Sequence, residues 1–162
     1  MKECFCVLVV DDFEEWREVV GESVRDELGT VRLEEAADGL EATIQAEKHR
    51  PDLVFLDIGL PLLNGIAAAR RIRTISPRSK ILFLSENRSH DIAEEALTVG
   101  DGYVLKSAAA TELLPAMRAV LKGTHFMSQN LIADSLPGFK REPAKKTPSR
   151  DYSNRELIGK LL

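Results

Sequence analysis

The sequence predicts an α/β fold, a doubly wound sheet of five parallel strands alternating with five helices. Short apolar runs of strand length (FCVLVV, DLVFLD, KILFLS, GYVLK) alternate with longer stretches whose apolar residues recur at helical spacing. The runs are apolar throughout rather than every second residue, as expected of parallel strands covered on both faces. Their carboxyl ends carry the polar chemistry: Asp11 and Asp12 close the first, Asp57 the second and Lys106 the last.

Each element has its own signal. FCVLVV (5–10) reads as a strand, and residues 13–28 place Trp16, Val19, Val20, Val24 and Leu28 on one helical stripe. VRLEEA (31–36) alternates weakly, with Val31 and Leu33 as its inward pair. Asp38-Gly39 is a turn and helix start, followed by Leu40, Ile44 and a stop before Pro51. DLVFLD (52–57) is the most apolar run and is expected at the centre of the sheet. Gly65 opens a helix with Ile66, Ala69, Ile72 and Ile75, closed by Pro77; KILFLS (80–85) is the fourth strand. Residues 91–99 form a helix ending at Gly100, GYVLK (102–106) is the fifth strand, and residues 110–122 form a helix ended by Gly123.

After Gly123 the character changes, so residues 1–123 are expected to be one domain and 124–162 a linker and tail. THFMSQNLIADSL reads as a turn and short helix, and PGFKREPAKKTPSR, with its prolines and basic residues, as a linker. DYSNRELIGKLL offers an N-cap at Ser153 and apolar Leu157, Ile158, Leu161 and Leu162, a short amphipathic helix over 152–162 that is marginal without a partner.

Composition narrows the function. The 162 residues carry a net charge of −4 and 44% apolar residues, enough for a core and unsuited to nonspecific nucleic-acid binding. No apolar run reaches the roughly 20 residues of a membrane span, and no signal peptide is recognisable at the amino end. Cys4 and Cys6 stand two apart on a strand and face the same side. They read as small apolar residues in a reducing, cytoplasmic setting.

The crevice outside the carboxyl ends of such a sheet is where ligands bind, so the three aspartates and Lys106 are expected to meet at one rim. Clustered carboxylates repel and need a cation. An all-oxygen set suits Mg2+ better than a soft metal, and together these point to phosphate chemistry.

VLVVDD, LVFLDIGLPLLNG, ILFLS and GYVLKS, in that order, resemble the receiver domain of two-component response regulators, a flavodoxin-like or CheY-like arrangement. The resemblance covers residues 5–122. KGTHFMSQNL is further similar to receivers of the NarL/FixJ type, in which a linker precedes a helix-turn-helix domain; no complete unit of that kind stands here. The resemblance implies that Asp57 is a phosphoacceptor, that Asp11, Asp12, Asp57 and the Gly59 backbone carbonyl bind Mg2+, and that Ser85 and Lys106 contact phosphoryl oxygens. Tyr103 matches the aromatic that turns inward in the switch, and Pro61 and Gly65 match residues that fix the loop after the acceptor. Gly59 and Asn87 occupy positions that in this family help set the lifetime of the phosphoryl group. Implied partners are a histidine kinase or histidine phosphotransfer protein, and a homodimer through the fourth-helix, fifth-strand, fifth-helix face. Only Asp101-Gly102 separate Gly100 from Tyr103, one residue fewer than is usual in the family.

Two other classes compete with this reading. A haloacid-dehalogenase-type phosphatase also uses a strand-end aspartate and Mg2+, but needs an acid/base aspartate where this chain has Gly59. A DNA-binding transcriptional regulator, of which this chain is the regulatory portion, would draw on the basic stretch after Gly123. Basic linkers are commonly solvated spacers, and DNA binding by this chain alone is not expected.

Overall fold

Apolar runs become strands here because both of their faces are covered. The computed structural model describes residues 4–134. Strands β1 (Cys6–Val10), β3 (Leu53–Leu56) and β5 (Gly102–Leu105) are buried along their whole length, and β4 (Lys80–Ser85) is buried from Ile81 onward. β2 (Arg32–Ala36) lies at an edge and is largely open to solvent, hence its weak alternation. The helices are α1 (Glu14–Leu28), α2 (Gly39–His49), α3 (Gly65–Ile75), α4 (His90–Leu97) and α5 (Ala109–Leu121). The strand order is β2-β1-β3-β4-β5-β6, every pairing parallel. The order reverses between β1 and β3, which opens a crevice at their carboxyl ends.

Side-chain capping fixes several helix starts. Asp38 accepts from the Glu41 N–H (2.8 Å) while the Glu41 carboxylate accepts from Ala37 N–H (2.9 Å), a reciprocal cap. Asn64 and Ser89 cap α3 and α4 through Ala67 and Ile92. One face of the sheet packs Leu8, Val54, Leu56, Phe83 and Tyr103 against α2, α3 and α4; the other packs Val7, Phe55 and Leu82 against α1 and α5. Each fully buried side chain of this size contributes roughly 1.5–3 kcal/mol. The strand ends are therefore fixed by the core behind them.

One expectation needs correction. Among the described residues the sheet has six strands and the fold six helices, not five of each: β6 (Phe126–Met127) pairs with β5, and α6 (Gln129–Asp134) follows it. The two residues of β6 are too few to carry a period, and the hydrogen bonds that make them a strand come from the β5 edge. The ordered fold thus continues past Gly123, and α6 falls within the short helix read from THFMSQNLIADSL. On α2, Leu40 and Ile44 are 40% and 61% exposed, whereas Ala42 and Ala46 face the core. Small residues let this helix lie close to the sheet, and that closeness turns the larger ones outward. The helix expected over 152–162 lies outside the described residues. No helix among the described residues is long and apolar enough to cross a membrane.

Gly65 is required by a close approach. A Cβ there would stand 2.0 Å from the carbonyl oxygen of Asp57 and 2.7 Å from the Ile58 Cα, whereas a Cβ on Gly59 meets nothing within 4 Å. Gly65→Ala is expected to lower unfolding free energy by about 3 kcal/mol through backbone displacement, with Gly59→Ala within about 1 kcal/mol of wild type. Urea denaturation of both variants checks the contrast.

Candidate functional site

β1 and β3 run side by side with Val10 opposite Leu56, so the next residues, Asp11 and Asp57, emerge together. The Asp57 N–H still bonds the Val10 carbonyl (3.0 Å), and the Asp11 N–H bonds the Ala36 carbonyl (3.1 Å). The sheet itself therefore sets both backbones. Asp11 and Asp57 are buried and Asp12 is exposed at the rim, and carboxylate oxygens of all three lie within 4.8 Å of one another. Asp11 Oδ1 accepts from the Phe13 N–H (3.0 Å), and its carbonyl accepts from Arg17 Nη1 (2.8 Å). Neither aspartate caps α1, which starts after Phe13 without a side-chain cap.

Lys106 crosses the crevice from the end of β5. Its Nζ stands 2.7 Å from Asp11 Oδ2 and 3.3 Å from Asp57 Oδ2, and 5.1 Å from the centre of the Trp16 ring. Burial disfavours its charge, but Asp57 and Asp11 outweigh this and hold its pKa above the ordinary lysine value. Burial pushes the Asp11 carboxyl up to about 6, against the pull of Lys106 and with a further push from Asp57. Asp57 Oδ1 has only a long contact with the Gly59 N–H (3.4 Å).

Ser85 ends β4, buried, and its Oγ accepts from the Asn87 N–H (3.1 Å). Tyr103 is fully buried; its hydroxyl donates to the Asn87 carbonyl (2.7 Å) and its ring lies 6.3 Å from that of Phe83. Burial raises the Tyr103 phenol, partly offset by a hydrogen bond with the Ser85 side chain, with the Asp57 charge adding to the rise. The short loop before Tyr103 is clasped: Asp101 Oδ2 accepts from Ile81 N–H (2.9 Å) and Arg73 Nη2 (3.0 Å). Pro61 is exposed, and its carbonyl accepts from Leu63 N–H (2.7 Å) in the loop leading to Gly65.

Fixed carboxylates at a switch point, bridged by a buried lysine, form a pocket for a cation and an oxyanion. A family profile described as "Response regulator receiver domain" matches residues 7–118. The chain belongs to the response regulator receiver family. It is 33% identical over 126 residues to the Transcriptional activator protein ExaE of Pseudomonas putida, a match covering 77% of this chain and 59% of that protein. It is 37% identical over 116 residues to Protein CcdB of Bacillus subtilis, covering 71% of this chain and 96% of that protein. Among solved structures, a LuxR-family two-component response regulator from Aurantimonas superposes with a TM-score of 0.68 at 31% identity, covering 80% of this chain and 94% of that one. The chain is thus homologous to two-component response regulators and spans about three-fifths of the length of the first of these relatives.

Receiver domains generally bind Mg2+ at an acidic pocket, and the donor set here fits one: carboxylate oxygens from Asp11, Asp12 and Asp57, suited to a hard cation. Two residues carry more than the sequence indicated. Trp16 looked like one member of a core stripe, yet its ring faces the Lys106 ammonium. Asn87 supplies the carbonyl that holds Tyr103, an acceptor any residue type could offer and therefore invisible in a pattern.

The only tryptophan of the chain lies beside the site, so its fluorescence should report occupancy. Mg2+ is expected to change Trp16 emission saturably, with Asp12→Asn weakening the apparent affinity about tenfold or more. An acid with a raised folded pKa favours the cation-free fold below its unfolded value of 3.8, and that contribution is lost as pH rises through about 6. Mg2+ must displace the same proton. Its affinity, followed by the same emission, should therefore fall by up to about tenfold per pH unit between pH 6 and 5.

Proposed function

We propose that Asp57 of this receiver accepts a phosphoryl group, with Mg2+ held by Asp11, Asp12, Asp57 and the Gly59 carbonyl. The observation that carries the reading is the buried Lys106 ammonium shared between Asp11 and Asp57 at 2.7 and 3.3 Å. It occupies Asp57 Oδ2 and leaves Oδ1 almost free as the attacking oxygen. In the transfer, a carboxylate oxygen of Asp57 forms a bond to phosphorus as the bond to the donor breaks, and the leaving group departs as imidazole or acetate. Bound Mg2+ would neutralise charge on the phosphoryl oxygens. Lys106 then loses one carboxylate partner and gains a phosphoryl oxygen at nearly the same place. Ser85 is poised at the end of the neighbouring strand to donate to a second oxygen, and Tyr103 follows because it is tied to the same loop through Asn87.

The donor is a histidine kinase or histidine phosphotransfer protein, and the setting is the cytoplasm. Residues 1–123 carry the receiver's phosphoacceptor unit, β6 and α6 extend its fold to residue 134, and the rest of the chain to 162 is a linker and tail. Output runs through a homodimer on the α4–β5–α5 face, or through the transcriptional role that the names of relatives such as the activator ExaE carry. A turnover phosphatase is disfavoured: Gly59 offers no carboxylate to activate water two residues after Asp57.

With saturating acetyl phosphate and Mg2+, intact-protein mass spectrometry is expected to show addition of one phosphoryl group, absent in Asp57→Asn and lost on chelation. An unmodified wild-type chain under those conditions would sink the reading. Lys106→Met should slow modification by a factor on the order of 10 or more, since truncating one partner of a buried charge set costs several kcal/mol.

A further inference from the structure

Trp16 reaches the crevice from α1, at a position where the helical stripe asks only for an apolar residue. Its side chain is half-buried and packs against the apolar cluster that holds Val20, Val24, Phe55 and Leu113. That packing fixes the ring, and the ring centre stands 5.1 Å from the Lys106 Nζ. An ammonium within about 6 Å of an aromatic face is attracted by the ring quadrupole, more strongly where the charge is out of water. Lys106 is buried, so the contact belongs to the stronger kind. The first turn of α1 has no side-chain cap, and Arg17 anchors it instead. Its Nη1 donates to the Asp11 carbonyl (2.8 Å) and its Nε to Glu35 Oε1 on β2 (3.2 Å). Trp16 is thereby tied to the same backbone that carries Asp11.

We propose that Trp16 is a positioning residue for phosphoryl transfer, holding the Lys106 ammonium in place while it exchanges an Asp57 oxygen for a phosphoryl oxygen. This role rests on the phosphoacceptor reading of Asp57. The three contacts of the ammonium differ in kind. Asp11 Oδ2 at 2.7 Å is a close ion pair and Asp57 Oδ2 at 3.3 Å a longer one. The Trp16 face attracts the charge without occupying an oxygen. An incoming phosphoryl oxygen competes only with the Asp57 contact, and Asp11 and Trp16 keep hold of the ammonium during the exchange. A leucine at position 16 would serve the apolar stripe but offer the ammonium no such face. The lysine would then be free to close on Asp57 and Asp12, whose oxygens the cation and the donor need. Orientation of this kind acts on the rate of transfer more than on donor binding.

Trp16→Leu and Trp16→Phe in the full chain, each checked for folding by circular dichroism, separate the aromatic face from apolar bulk. With acetyl phosphate and Mg2+, followed by intact-protein mass, Trp16→Leu should lower the maximal rate of modification about fivefold to tenfold. The apparent KM for acetyl phosphate should stay within about twofold of wild type. Trp16→Phe, which keeps an aromatic face, should recover to within about threefold of the wild-type rate. Should Trp16→Leu fail to fold, Trp16→Met takes its place. A second readout stands apart from turnover. The Lys106 ammonium resonance in proton–nitrogen NMR spectra, assigned by its loss in Lys106→Met, should carry an upfield ring-current shift that Trp16→Leu removes. Trp16→Leu at the wild-type rate, a rise in KM alone, or Trp16→Phe no better than Trp16→Leu overturns the positioning role while wild-type modification upholds the phosphoacceptor reading. An ammonium resonance unmoved by Trp16→Leu overturns the contact itself. A wild-type chain that takes no phosphoryl group overturns the phosphoacceptor reading and the positioning role with it, and the resonance then decides whether the ring holds the lysine.

Discussion

The Lys106 ammonium is the contact on which the site's architecture depends. Two buried carboxylates side by side would repel strongly, and a buried ammonium alone would shed its proton; together each makes the other tolerable. The group sits where three strand ends converge, so its geometry is set by register and not by flexible loops. Val10 opposite Leu56 fixes Asp11 against Asp57, and the run of β5 delivers Lys106 across from them. The balance remains incomplete, because three carboxylates face one lysine and the cluster keeps a negative excess. That excess suits a divalent cation, which receiver domains generally bind at an acidic pocket of this kind.

Around this contact the structure separates what must be rigid from what can move. Behind the rim, Leu8, Leu56 and Phe55 are almost wholly buried, and Gly65 lets α3 begin directly against the Asp57 backbone. The acceptor therefore has little freedom. Ser85 and Asn87, by contrast, lead into a short segment whose anchors are few: the Ser85 hydroxyl, the Asn87 side chain and the Tyr103 phenol. These are hydrogen bonds of about 1 kcal/mol each. Under the proposed phosphorylation, a charge-assisted bond from Ser85 to a phosphoryl oxygen would be stronger than any one of them. The bonds that hold this segment are therefore weak enough to be exchanged.

Much of this was legible in the sequence, for reasons that differ by element. The buried strands announced themselves because burial on both faces demands continuous apolar runs, and the aspartates and lysine of the pocket because each follows such a run. Leu40 and Ile44 signalled the helix but not which of its faces the sheet accepts; that face is carried by Ala42 and Ala46, which allow closer packing. β6 was invisible since two residues have no period and its partner lies 24 positions upstream. Trp16 sat on the expected stripe, yet only the convergence of α1 and β5 shows its ring beneath the lysine.

The position of β5 ties the pocket, the core and the sheet edge to one strand. Its carboxyl end supplies Lys106, its inward face supplies Tyr103 to the core beside Phe83, and its outer edge carries β6. At its start, Gly102 and Gly100 stand where a Cβ would collide with Leu82, Val120 or Phe83, so the strand lies tight against β4 and α5. Arg73 and Asp101 clasp the entering loop to the start of β4. With one end clasped and one face packed, a change at Lys106 and Tyr103 has few ways to relax. The two-residue strand at the edge adds to this constraint: it is held by hydrogen bonds to the Asp101 and Tyr103 carbonyls, by the Ser128–Glu112 latch and by the burial of Leu131 just beyond it.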